Sequence, residues 1–240
     1  VTFLDFQKEF GAVRSMTVGE AANKKAFDLL IKQLRTHTTR DKIRKVWFGP
    51  SNGLPYRLNS TIKLTDLEDV IFEFDSGPEF SGSPGFGAGI YFMWTGAQTG
   101  AMFSIISSGS TIQRGLHWRG SWTFCTSRPN YGTALFIDGV NNWGGPSSVL
   151  SFTTQGQTKS LRRGLVLDNK LNGDNAHGVI GAMYSGGVQQ GALIAMGGGC
   201  AIQAGNISTE AGQIGVFVGP NGSEVKLMHP LKIDGGGTVG

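Results

Sequence analysis

Of the chain's 38 glycines, 33 fall after residue 80, and only 15 charged residues share those 160 positions. Between the glycines lie short apolar runs. They are Ile90–Trp94, Met102–Ile106, Ala134–Ile137, Val149–Phe152, Leu165–Leu167, Gly178–Ile180, Ala192–Met196, Cys200–Ile202 and Ile214–Val218. Most are bounded by Gly, Asn, Asp, Ser or Pro, which punctuate strands. Runs of three to five residues are too short for helices, and no apolar stretch approaches the ~20 residues that span a bilayer. A chain built this way folds as stacked or paired short strands, in a sandwich, a barrel or a stack of parallel strands.

Composition narrows the function classes. Charged residues are 16% of the 240, against an average of about 25%, which argues against disorder and against a coiled coil. Net charge is +4, yet no basic cluster is longer than Arg40–Lys45, so a nucleic-acid interface is not expected. The two cysteines, Cys125 and Cys200, form no metal-ligand spacing and are read as buried thiols, with a disulfide between them left open. The four histidines make no HxxxH pattern, so neither a metal nor another cofactor is expected. The first residues lack a signal-peptide pattern and an initiator Met, and the chain is read as a segment of something longer.

The first third of the chain differs from the rest. Thr17-Val-Gly-Glu20 fits a capping box, and Phe27, Leu30, Ile31 and Leu34 follow at helical spacing. The pattern predicts one helix over residues 18–37, with an Asp28–Lys32 pair on its outer face. Shorter runs follow at Val46–Phe48, Tyr56–Leu64 and Val70–Phe74. The acidic stretch from Asp66 to Glu79 reads as solvated loops.

The order of these elements carries a resemblance. Asp5-Phe-Gln-Lys-Glu-Phe-Gly-Ala-Val13 precedes the helix, which contains Lys25-Ala-Phe-Asp-Leu-Leu-Ile31. Val46-Trp-Phe-Gly-Pro50, Leu54-Pro-Tyr-Arg-Leu58 and Val70-Ile-Phe-Glu-Phe74 come after it. Residues 3–75 thus resemble the opening module of the pectate-lyase-like superfamily, as found in bacteriophage tailspikes. One departure is plain: where that family has G-D-G-x-T-D-D-T, this chain has Arg14-Ser-Met-Thr-Val-Gly-Glu-Ala-Ala22. The resemblance implies an all-β fold, a right-handed parallel β-helix with an N-terminal capping helix. It divides the chain into an opening strand and capping helix at residues 1–40 and a β-helix at 41–240.

The same resemblance implies a virion tail protein that recognises a bacterial surface polysaccharide, with or without cleaving it. It further implies a homotrimer contacting other tail proteins. The alternative is a non-catalytic structural component of the tail. Cleavage by hydrolysis needs paired carboxylates, and cleavage by a lyase needs a base and a cation to stabilise the enolate. Beyond residue 80 the candidates are Asp138, Asp168 and Asp174, each beside a strand end, where residues of neighbouring strands can line up. Each also fits ordinary turn chemistry. Sugar binding needs aromatic faces beside planar polar groups, and the densest such segment holds Trp118, Arg119 and Trp122, with Trp143 further on. Burial of these tryptophans in a core is the competing reading.

Overall fold

The computed structural model describes residues 2–36, 44–49, 53–75, 90–108, 115–153, 160–168, 177–186, 188–196, 199–210, 214–219, 224–227, 232–234 and 238–239. The chain opens with strand β1 (Thr2–Asp5) and two helices, α1 (Phe6–Phe10) and α2 (Glu20–Thr36). Strands follow without further helices among the described residues: β2 (Arg44–Phe48), β3 (Tyr56–Leu58), β4 (Ile62–Thr65), β5 (Val70–Phe74), β6 (Ile90–Trp94), β7 (Ala101–Ile106), β8 (Leu116–Thr126) and β9 (Thr133–Asp138). Then come β10 (Trp143–Phe152), β11 (Arg163–Asp168), β12 (His177–Gly186), β13 (Leu193–Ala195), β14 (Ala201–Glu210), β15 (Ile214–Val218), β16 (Glu224–Leu227), β17 (Lys232–Asp234) and β18 (Thr238–Val239).

Hydrogen bonding joins these strands into two parallel sheets. One has eleven strands and runs β1-β2-β5-β8-β10-β12-β14-β16, with β3, β6 and β17 attached beside that path. The other has seven and runs β18-β15-β13-β11-β9-β7-β4. From β8 to β15 the chain alternates between the sheets, so neighbours in one sheet are connected through a strand of the other.

This arrangement corrects the expected right-handed parallel β-helix of the pectate-lyase-like kind. The fold is two parallel sheets with sequentially alternating strands, preceded by two helices. The physical reason lies in strand length. The apolar runs predict separate strands of three to five residues. Instead β8 has eleven residues, and β10, β12 and β14 have ten each. β8 bends and changes partner along its length, and the register of β10 shifts between Gly145 and Val149. In β8 the bend is at Gly120, with φ +80°, where a Cβ would lie 2.2 Å from the Phe74 carbonyl oxygen. Before it β8 pairs with β5, and after it with β6.

The core lies between the sheets. Phe92 of β6 meets Phe103 of β7 edge-on at 4.9 Å, and Trp122 of β8 lies 5.2 Å from Phe103. Phe27 of α2 reaches the same cluster, 6.2 Å from Phe92 and 5.4 Å from Phe103. Phe27, Leu30, Ile31 and Leu34 are all buried, as their spacing predicts.

The capping box does not form. α2 begins at Glu20, and Ser15 Oγ accepts from the Thr17 and Val18 amides instead. Glu20 turns away to Arg57, with Nε to Oε1 at 2.8 Å, and also accepts from Thr95 Oγ1 at 3.1 Å. The i,i+4 ion pair on α2 among the described residues is Lys24–Asp28, not Asp28–Lys32. Asp66 and Asp69 take positive φ in the turn between β4 and β5, and both Asp66 carboxylate oxygens accept from Ser108.

Candidate functional site

The seven-stranded sheet carries the acidic candidates and the eleven-stranded sheet the aromatic ones. In a parallel sheet, register partners on adjacent strands sit about 4.8 Å apart and point to the same face. Asp138 ends β9 and Asp168 ends β11, and the two are register partners. Of the acidic candidates, these two are thus backbone neighbours across adjacent strands. Both are buried, at 2% and 5% exposure, and both take part in further interactions. A substrate in solvent does not reach them in this conformation. Asp174 lies outside the described residues.

The aromatic candidates also come together, but inside the molecule. Trp118 and Trp122 stack at 5.2 Å with planes 11° apart, and Trp118 and Trp143 stack at 5.9 Å and 17°. None of the three is more than 1% exposed. Their faces are occupied by one another, so they offer no platform to a sugar ring. Beyond Trp143 its register partner is Gly178, where a Cβ would lie 2.1 Å from Trp143 Cε2. The stack needs a residue without a side chain there. Arg119 alone of the proposed binding set is exposed. It sits on β8 in register with Glu73 of β5, away from the indoles.

Cys125 and Cys200 are both free and buried. Burial pushes the Cys125 thiol up to about 12, which makes it unreactive at neutral pH. No group of three or more His, Cys, Asp or Glu suited to a metal occurs among the described residues.

Two features escaped the sequence reading. One is a ladder on the outer face of the seven-stranded sheet. Leu165, Leu167, Leu193 and Ala195 point into the core, so their neighbours Val166 and Ile194 point out. Phe136, Val166, Ile194 and Phe217 are successive register partners across β9, β11, β13 and β15. Val166 and Ile194 are buried without belonging to the core cluster, and Phe136 and Phe217 are half-buried. The other is a pair of arginines, Arg162 and Arg163, at the start of β11. Its sequence signal was two adjacent charges in a region that has few.

Comparison with known proteins finds no matching family model, no matching curated protein and no matching solved structure. The tailspike reading rested on residues 3–75 alone, and the two-sheet topology does not support it. Recognition or cleavage of a bacterial polysaccharide as a phage tail protein, the structural tail alternative and the virion location are therefore all set aside. No helix among the described residues is long and apolar enough to cross a membrane.

Proposed function

We propose that the protein is a rigid structural body that works by self-association, and that it assembles as a homotrimer. The observation that carries this is the Phe136–Val166–Ile194–Phe217 ladder on the outer face of the seven-stranded sheet. Parallel sheets are almost always covered on both faces. The other sheet covers the inner face here, and Phe136 and Phe217, the half-buried ends of the ladder, are the apolar side chains left to meet neighbouring copies in a closed ring. The burial of the aromatic set and of the carboxylate pair supports the same reading, because neither is presented to a diffusing ligand.

Light scattering on the purified protein tests this. The expected mass is three times the 25.5 kDa of the chain. Phe136→Asp and Phe217→Ser are each expected to give a monomer that keeps the wild-type far-UV circular dichroism. A wild-type monomer at all concentrations overturns the proposal. A trimer that survives both substitutions places the interface elsewhere. Should either variant misfold, the concentration dependence of the wild-type mass still decides between association and none.

A further inference from the structure

The described chain has a cationic site that neither the core nor the outer ladder uses. Arg162 and Arg163 enter β11 side by side, and both their backbone amides donate to the Gly132 carbonyl, at 3.0 and 3.2 Å. Their side chains converge on one atom. Arg162 Nε donates to Gln190 Oε1 at 2.9 Å, and Arg163 Nε donates to the same oxygen at 3.2 Å. Gln190 is itself fixed by its own amide, which donates to the Arg162 carbonyl at 2.8 Å.

Two guanidiniums sharing one neutral acceptor repel each other. Burial and the neighbouring Arg162 charge lower the Arg163 pKa. No ion pair joins either arginine to a carboxylate among the described residues. The acids of the same strands, Asp138 and Asp168, end β9 and β11, five residues along from Thr133 and Arg163. That is about 16 Å at the rise of a parallel strand. Further donors adjoin the pair. Gln189 Nε2 donates to Ser160 Oγ at 2.9 Å, and Arg128 lies over the Tyr131 ring, one residue before Gly132.

We propose that Arg162 and Arg163, bridged by Gln190, form a binding site for a tetrahedral oxyanion of the phosphate or sulfate class. With each Nε engaged by Gln190, the terminal amino groups of both guanidiniums remain as donors, in the planar geometry that matches such oxygens. The anion supplies the negative charge that the local carboxylates do not.

The test is thermal unfolding of the full chain in inorganic phosphate, against sodium chloride at equal ionic strength. At about ten times the dissociation constant, phosphate is expected to raise Tm by roughly 3 °C. Broadening of the 31P resonance of phosphate by the protein gives a second readout. Arg162→Gln and Arg163→Gln should each reduce both effects, and the double variant should abolish them. Arg163→Lys keeps the charge without the planar fork and should fall between. Lys24→Gln, on the exposed face of α2, should leave both effects intact.

An equal Tm rise in chloride overturns the proposal, since general screening then explains it. So does phosphate binding that persists in the double variant, or no line broadening at tens of millimolar. A small phosphate monoester run alongside separates free anion from ester-borne phosphate. Tighter binding of the ester assigns the natural ligand to a phosphorylated molecule, and tighter binding of phosphate assigns it to the free ion.

Discussion

At the scale of single residues, Gly178 sets the geometry of the tryptophan stack. Its missing side chain leaves room for the face of Trp143, and a Cβ there would lie within 2.4 Å of three ring atoms, Cε2, Cδ2 and Cζ2. An indole held on its other side by Trp118 cannot move aside cheaply. Gly178→Ala is therefore expected to lower stability by about 3 kcal/mol, at the upper end for an overpacked core. Gly186 is the control, because a Cβ there meets nothing closer than the Phe152 carbonyl oxygen at 3.8 Å. Urea midpoints of the two variants check the contrast. Equal midpoints would mean that the stack yields to the added methyl group. The indole nitrogens of Trp118, Trp122 and Trp143 have no hydrogen-bond partner among the described residues. Phenylalanine at Trp143 should thus cost less than the ~3–5 kcal/mol expected for alanine, since it removes an unpaired donor along with the area.

At the scale of elements, the Glu20–Arg57 pair ties α2 to β3. Arg57 Nη2 lies 2.8 Å from Glu20 Oε1, and Nη1 donates to the Met16 carbonyl. Burial pushes the Glu20 carboxyl up, but the hydrogen bonds and charge of Arg57, with the Thr95 hydroxyl, outweigh it and hold the pKa below 4.5. A carboxylate with a depressed folded-state pKa adds stability above its unfolded value and loses it as pH falls through the folded value. Wild type should exceed Glu20→Gln in Tm at pH 6, with the gap closing below about pH 4. A gap independent of pH would mean that the carboxylate charge plays no part in the tie. The sequence shows α2 by its apolar spacing, but not this partner for Glu20, because a capping box is a local pattern and Arg57 lies 37 residues away. Helix α1 was missed for a different reason: five residues are too few for a period to register. Its signal was Asp5, which caps the Gln7 and Lys8 amides, with Glu9 bonding back to the Asp5 amide. Strand β8 was missed because His117, Arg119, Gly120, Ser121 and Thr123 interrupt its apolar residues. The same interruption made Trp118 and Trp122 look like a surface site. Asp138 and Asp168 stand out in the sequence because both close short apolar runs, but their register does not, and neither does the convergence of Arg162 and Arg163 on Gln190, a residue 27 or 28 positions further along the chain.

At the scale of the whole molecule, the question is whether the helical cap and the sheets unfold together. One cluster of buried side chains runs unbroken from Leu4 to Val216, across both helices and both sheets. Phe27 is the residue through which α2 enters it, packed against Phe6 and Phe48 on the near side and Phe92 and Phe103 further in. Leu193 lies in the same cluster on β13, far along the seven-stranded sheet. If the cluster is one cooperative unit, truncation at either place lowers the stability of the whole. Phe27→Ala is expected to cost about 3–5 kcal/mol and Leu193→Ala about 2–5 kcal/mol. Each should appear as a shift of a single transition followed by far-UV circular dichroism and by tryptophan fluorescence. The fluorescence reports on the tryptophans, three of which form the Trp118–Trp122–Trp143 stack between strands, while the helical signal comes from α1 and α2, so the two signals sample different elements. A Phe27→Ala protein whose helical signal melts first, with the fluorescence midpoint unchanged, would show that the cap is a separate unit docked on an independently stable pair of sheets. Coincident shifts would show instead that the cap is part of the core it closes.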